Sequence, residues 1–185
     1  MRRKNIWNRK RGEYIDVIEI QESRWNDANS CNFTINVGVF SASIHEACWG
    51  KPAPAFVAGV DCLVRKRLPA LQQTGTSRTL DEWWSLPDDV DELGTELRDL
   101  LANIAIPWLE SFHSDRAIDR YFDAVNGEEA NAPVNRLYRA ILKWRIGDLS
   151  AAVNLLNSFR GKREQAWAER ARLVARQIGI STSMP

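Results

Sequence analysis

An α+β fold is what the sequence predicts, and three observations predict it. Over Asn32–Phe40 apolar residues recur at every second position, the period of a strand with two faces. Ahead of it two shorter runs are joined by Lys10-Arg11-Gly12, short enough for a β-hairpin in which glycine supplies a positive φ. From Asp88 onward the apolar period lengthens to near 3.6, the spacing of amphipathic helices. The expected architecture is an antiparallel sheet of four to five strands over residues 1–86, with a helical part over residues 87–185 packed against it in one continuous domain.

A chain of 185 residues is long enough to bury a full core. Its 44% hydrophobic and 26% charged residues are ordinary for a globular protein, whereas 8 tryptophans are many, which makes the position of each indole informative. Against 24 acidic residues stand 25 basic ones, so a net charge of +1 creates no overall field toward nucleic acid or an anionic membrane. The opening MRRKNIW has charge but no apolar run of signal-peptide length, and Cys31, Cys48 and Cys62 are odd in number. Reduced thiols in the cytoplasm are expected. The longest apolar run, Leu100 to Ile106 interrupted by Asn103, falls far short of the ~20 residues that span a bilayer.

The hairpin joins Ile6–Arg9 to Glu13–Ile20. In its second strand Ile15 and Val17 face one way and Tyr14, Ile18 and Ile20 the other, as in an interior strand. Asp16 and Glu19 are expected where the sheet meets water. Asn32–Phe40 alternates most regularly, with Phe33, Ile35, Val37 and Val39 on one face and Asn32, Thr34, Asn36 and Gly38 on the other. That small, polar face predicts either a partner element close over it or a shallow groove with the turn Gln21–Trp25 at one end. Ser41–Gly50 reads as a short helical turn, and Lys51–Ala55 as an extended, irregular linker. Phe56–Arg67 reads as the next strand, with Val60, Cys62 and Val64 opposed to Asp61, Leu63, Arg65 and Arg67. After a Gln/Thr/Ser/Gly loop, Ser77–Leu80 is a candidate edge strand.

This combination resembles the domain of unknown function 4304 family over roughly residues 2–110. Four pieces carry the likeness: the basic hairpin Asn8-Arg9-Lys10-Arg11-Gly12-Glu13-Tyr14 leading into Ile15–Ile20; Gln21-Glu22-Ser23-Arg24-Trp25; Phe33-Thr34-Ile35-Asn36-Val37-Gly38-Val39; and Asp61-Cys62 with Arg65 and Arg67, followed by Trp83-Trp84. The specific part is Gln-x-Ser-Arg-Trp followed by Thr-Ile-Asn-x-Gly. Two departures stand out. Members often carry His after the cysteine of the fourth strand, where this chain has Leu63, which argues against a mechanism that needs that histidine. Members also usually carry a helix ahead of the hairpin, and this chain starts almost inside it. The family brings no established activity, so the resemblance implies a fold and leaves function to the residues.

In the second half, Val90, Leu93, Leu97, Leu100, Leu101, Ile104 and Trp108 form one helical stripe. Pro87 with Asp88 and Asp89 suits its start, and Pro107 is expected to kink or end it. Ser114 caps a helix over Asp115–Val125, stopped by Asn126-Gly127. Pro133 opens a helix through Trp144 that closes at Gly147; Asp148 caps Leu149–Phe159; Lys162–Ile178 is the last. Gly147–Leu156 is reminiscent of a tetratricopeptide second helix, but no second copy occurs at a period of ~34 residues, which leaves a helical hairpin.

No catalytic or metal-binding motif with diagnostic spacing occurs. His45 and Cys48, three apart, could meet one metal, but no second close pair completes a set of about four ligands, and nothing activates Cys48 as a nucleophile. No metal or cofactor is expected. Six basic residues among positions 1–11 surround Trp7 and could hold phosphates, yet Asp81, Glu82, Asp88, Asp89, Asp91, Glu92 and Glu96 offset them, so nucleic acid is not an expected partner. The candidate ligand-binding residues are Gln21, Ser23, Arg24 and Trp25, with Asp61 and Arg65. An amide, a hydroxyl, a guanidinium and an indole within five residues suit a polar or anionic ligand held against a flat apolar wall. The structural alternative pairs Arg24 with Asp16, Glu22 or Asp61 and uses Trp25 to cap the core. A bacterial-type, non-catalytic binding module, with a protein partner or a second copy of itself, is the expected function. Two others compete: a hydrolase or transferase using Asp16, Glu19 or Asp61 with Arg24 and Arg65, and a toxin-immunity-like inhibitor meeting a basic surface through Asp81–Glu96.

Overall fold

The computed structural model describes residues 2–3, 5–72, 83–86, 90–125, 131–160 and 164–181, and the fold is α+β. The chain divides into two units, one of residues 1–40 and 55–111, the other of residues 41–54 and 112–185.

In the first unit the strands β1 (Arg2–Arg3), β2 (Ile6–Arg11), β3 (Tyr14–Glu22), β4 (Asn32–Ser41) and β5 (Val64–Arg67) lie side by side in that order, and β6 (Trp84–Ser85) also pairs with β4. The hairpin closes with Arg11 opposite Tyr14, and Gly12 at φ 59° takes the left-handed turn position. β4 is the centre of the sheet and is buried from Phe33 to Ser41. Its edge away from β3 is shared: β5 runs opposite Asn36–Val39, while β6 pairs with Asn32 and Phe33. The alternation then places Phe33 and Trp84 on one face, their rings stacked 5.9 Å apart, and sends Asn32 and its fellow polar residues to the other. At the far end of that polar face a Cβ on Gly38 would lie 2.8 Å from the Cys62 sulfur and 2.9 Å from the Val64 carbonyl oxygen. Only glycine admits so close an approach.

The strand expected over Phe56–Arg67 is confined to Val64–Arg67. Ahead of it, Gly59–Asp61 is a single 3₁₀ turn with Val60 76% exposed. Side chains occupy the backbone groups that a strand ladder would use. The Asn8 amide donates to the Val57 carbonyl and accepts from the Val57 N–H, both at 2.9 Å. Glu19 accepts from the Gly59 N–H at 3.1 Å, and Asp61 from the Ala58 N–H at 3.2 Å.

Beyond β5 comes α2 (Leu68–Gln72); the residues of the expected Ser77–Leu80 strand and of the Pro87–Asp89 helix start lie outside the described set. α3 (Asp91–Leu100), a π-helical turn (Leu101–Ala105) and α4 (Ile106–Glu110) run on without interruption. The helical run does not end at Pro107: the Ile106 N–H reaches back to the Leu101 carbonyl, and the widened turn accommodates a residue that has no N–H to give. Ala105 and Leu109, rather than the stripe's outer members, are its buried residues.

The second unit is helical: α1 (Ala42–Trp49), α5 (Asp115–Ala124), α6 (Pro133–Arg145), α7 (Leu149–Leu156) and α8 (Gln165–Gln177). Ser41, Ser114 and Asp148 cap α1, α5 and α7 through side-chain oxygens. The Asn126-Gly127 stop lies outside the described residues. Asp115, Asp119 and Asp123, four residues apart on α5, pair with Arg145, Lys143 and Arg139 of α6 at 2.7, 2.8 and 2.8 Å. Beneath this ladder Ile118, Phe122, Leu137, Ile141 and Leu142 are buried.

Candidate functional site

The polar face of β4 ends in a groove of about 640 Å³ whose described lining is Gln21, Glu22, Ser23, Arg24, Trp25, Asn32, Arg67 and Trp83. The sheet order explains the assembly. β3 and its turn stand on one side of β4, β5 and β6 on the other, and the groove crosses β4 at Asn32. Asn36 carries the face inward: its amide donates to Gln21 Oε1 at 2.9 Å and it lies opposite Arg67. Trp83, one residue before Trp84, falls on the groove side by simple alternation.

The turn between β3 and β4 is held by its own side chains. Asn26 brackets Asn32, accepting from its N–H at 2.7 Å and donating to its carbonyl at 2.9 Å. Ser23 Oγ accepts from the Trp25 N–H at 3.2 Å. Asp27 accepts from the Asn29 N–H and the Ser30 hydroxyl, bonds that hold its carboxyl below the usual range. On this fixed loop Trp25 is 75% exposed, with the Arg24 guanidinium over its ring at 4.8 Å. On the other side Arg67 lies over Trp83 at 5.2 Å. Trp25 therefore does not cap the core. The carboxylates considered as partners for Arg24 have other bonds: Asp16 with Arg9 and Arg11, Glu22 with Asn5, and Asp61 with the Ala58 N–H.

Of the six residues expected from sequence, Gln21, Ser23, Arg24 and Trp25 line the groove, and Asp61 and Arg65 do not. Arg65, opposite Gly38, is two residues along β5 from Arg67, hence on the same face but roughly 7 Å farther along the strand. Asn32, Arg67 and Trp83 complete the lining. Strand parity carried the signal for Asn32 and Arg67, whereas Trp83 required the pairing of β6.

The three carboxylates are engaged in bonds that hold the fold. Asp16 is 2% exposed, not at the water-facing part of the sheet, and accepts from Arg9 Nε at 2.9 Å and from Arg11 Nε and Nη2 at 2.6 and 2.8 Å. Glu19, three residues on, faces the opposite side, where it and Asp61 hold the Gly59–Asp61 turn. Burial pushes the Cys48 thiol up to about 12 and raises that of Cys62 as well, the reverse of what a thiolate nucleophile needs. Among the described residues no group of three or more His, Cys, Asp or Glu is placed to hold a metal ion. No helix among them is long and apolar enough to cross a membrane.

An α+β domain with a groove at the end of its sheet is what fold and site define. Residues 1–111, more than half of the 185, match the family described as Domain of unknown function (DUF4304), and the chain belongs to that family. Neither the curated proteins nor the solved structures contain a match to the chain.

Proposed function

We propose that this chain is a non-catalytic binding module whose contact surface is the Asn32 groove, and that it holds an anionic ligand rich in hydrogen-bond acceptors. The observation that carries the reading is the exposed Arg24–Trp25 pair, held on a loop pinned by Ser23, Asn26 and Asp27. An indole left in water on a fixed loop stabilises little in the fold, and its order is already established before any ligand arrives. The amide groups support the same reading. Gln21 Oε1 accepts from Asn36 and Asn32 Oδ1 from the Ser85 hydroxyl, so two amides able to hydrogen-bond a ligand are held in the lining.

Pyrophosphate is a suitable probe, titrated calorimetrically at low and at moderate salt. The intact chain is expected to bind it, more weakly as salt rises, and the double variant Arg24→Ala/Arg67→Ala to lose at least about tenfold in affinity, the scale of one charged hydrogen bond. Equal affinity in the intact chain and the variant, or no binding by the intact chain, overturns the reading.

A further inference from the structure

Resting on that anion-binding reading, we infer that the groove's ligand is a nucleoside phosphate, its base lying on an indole and its phosphate on the arginines. Two flat rings, Trp25 and Trp83, border a groove whose floor is polar, and each carries a guanidinium over one face. A simple inorganic anion uses the cations and leaves the rings idle. An aromatic base uses both, because a π-face stacks on indole while the negative ester reaches the guanidinium. The volume of about 640 Å³ lies in the range of small-ligand sites.

The floor also distinguishes among bases. Gln21 and Asn32 line it with amides whose oxygens each accept one bond, from Asn36 and from Ser85, and whose N–H₂ groups are donors. Guanine offers two adjacent acceptors, O6 and N7, to such donors. Glu22, also in the lining, spends Oε1 on Asn5 and retains Oε2 as an acceptor suited to the guanine N–H edge. Guanine is thus the favoured base.

Guanosine 5′-monophosphate, adenosine 5′-monophosphate and ribose 5-phosphate, titrated calorimetrically against the intact chain at low salt, test the inference. Guanosine monophosphate is expected to bind roughly five- to a hundredfold more tightly than ribose 5-phosphate, the range of one base stacked on an aromatic side chain, and more tightly than adenosine monophosphate. Trp25→Ala should abolish the gain due to the base and leave ribose 5-phosphate binding in place, and Trp25→Phe should restore part of it. Equal affinity for guanosine monophosphate and ribose 5-phosphate overturns this inference while the anion-binding reading stands; no binding of any of the three, nor of pyrophosphate, removes both. A 5′-phosphorylated guanosine oligomer identifies the source. Affinity that rises with length assigns a single strand, and affinity that does not assigns the free nucleotide.

Discussion

The two units use arginine and lysine in opposite ways. On α6 of the helical unit, Arg139, Lys143 and Arg145 each meet a carboxylate of α5, and the ladder covers a buried apolar seam. At the groove of the sheet unit, Arg24 and Arg67 lie on indole faces, and among the described residues Glu22 bonds Asn5 and Asp61 bonds the Ala58 N–H. Cations matched by acids serve the fold. Cations on aromatic rings keep their long-range attraction for an incoming anion, because a ring quadrupole does not neutralise the charge.

The largest effect is expected where a matched pair is broken. Lys143→Ala removes the ammonium 2.8 Å from Asp119, which is 6% exposed, and should cost about 3 kcal/mol in urea unfolding. A double variant that also carries Asp119→Leu should recover much of that loss. The pair also sets a pH response. The hydrogen bond to Asp119 raises the Lys143 pKa in the folded chain, so its contribution is complete below the unfolded value of about 10.4 and is lost as pH rises through the folded value. The stability difference between the intact chain and Lys143→Ala should therefore shrink on the alkaline side. A difference constant through that range would remove the lysine from the account.

A smaller loss is expected at the covered end of the sheet's polar face. Gly38→Ala drives a methyl against the Cys62 sulfur and the Val64 carbonyl oxygen, and because one of those atoms is backbone, relaxation is limited. About 2 kcal/mol of destabilisation follows, read from the urea midpoint. A neutral outcome would mean that the Cys62 segment does not lie against β4 as described. At the open end of the same face, substitutions of exposed groove residues should change stability least.

How much of this was legible depends on whether the information was local. The alternation of Asn32–Phe40 gave β4 and its polar face, and it offered a covering element or a groove as alternatives; the face has both, Cys62 over Gly38 and open space at Asn32. Caps at Ser114 and Asp148 were equally readable, since an N-cap lies within three residues of the group it satisfies. Long-range side-chain bonds were not readable. Asn8 reaching Val57 and Glu19 reaching Gly59 convert an apparent strand into a turn, and Asp16 is buried because Arg9 and Arg11, on the far arm of the hairpin, converge on it. Pro107 stands in a continuous helical run beside a bond that reaches back five residues, which no periodicity records. Trp83 joined the groove only through the two-residue strand β6.

The contrast between matched and aromatic-seated cations is tested most directly on Arg24→Ala, by measuring the urea midpoint and the pyrophosphate affinity of the same preparation. A surface reserved for a ligand predicts a stability change within about 0.5 kcal/mol, as for exposed positions generally, together with a loss of about tenfold in affinity. A clear fall in the midpoint with unchanged affinity would contradict it and return Arg24 to the scaffold.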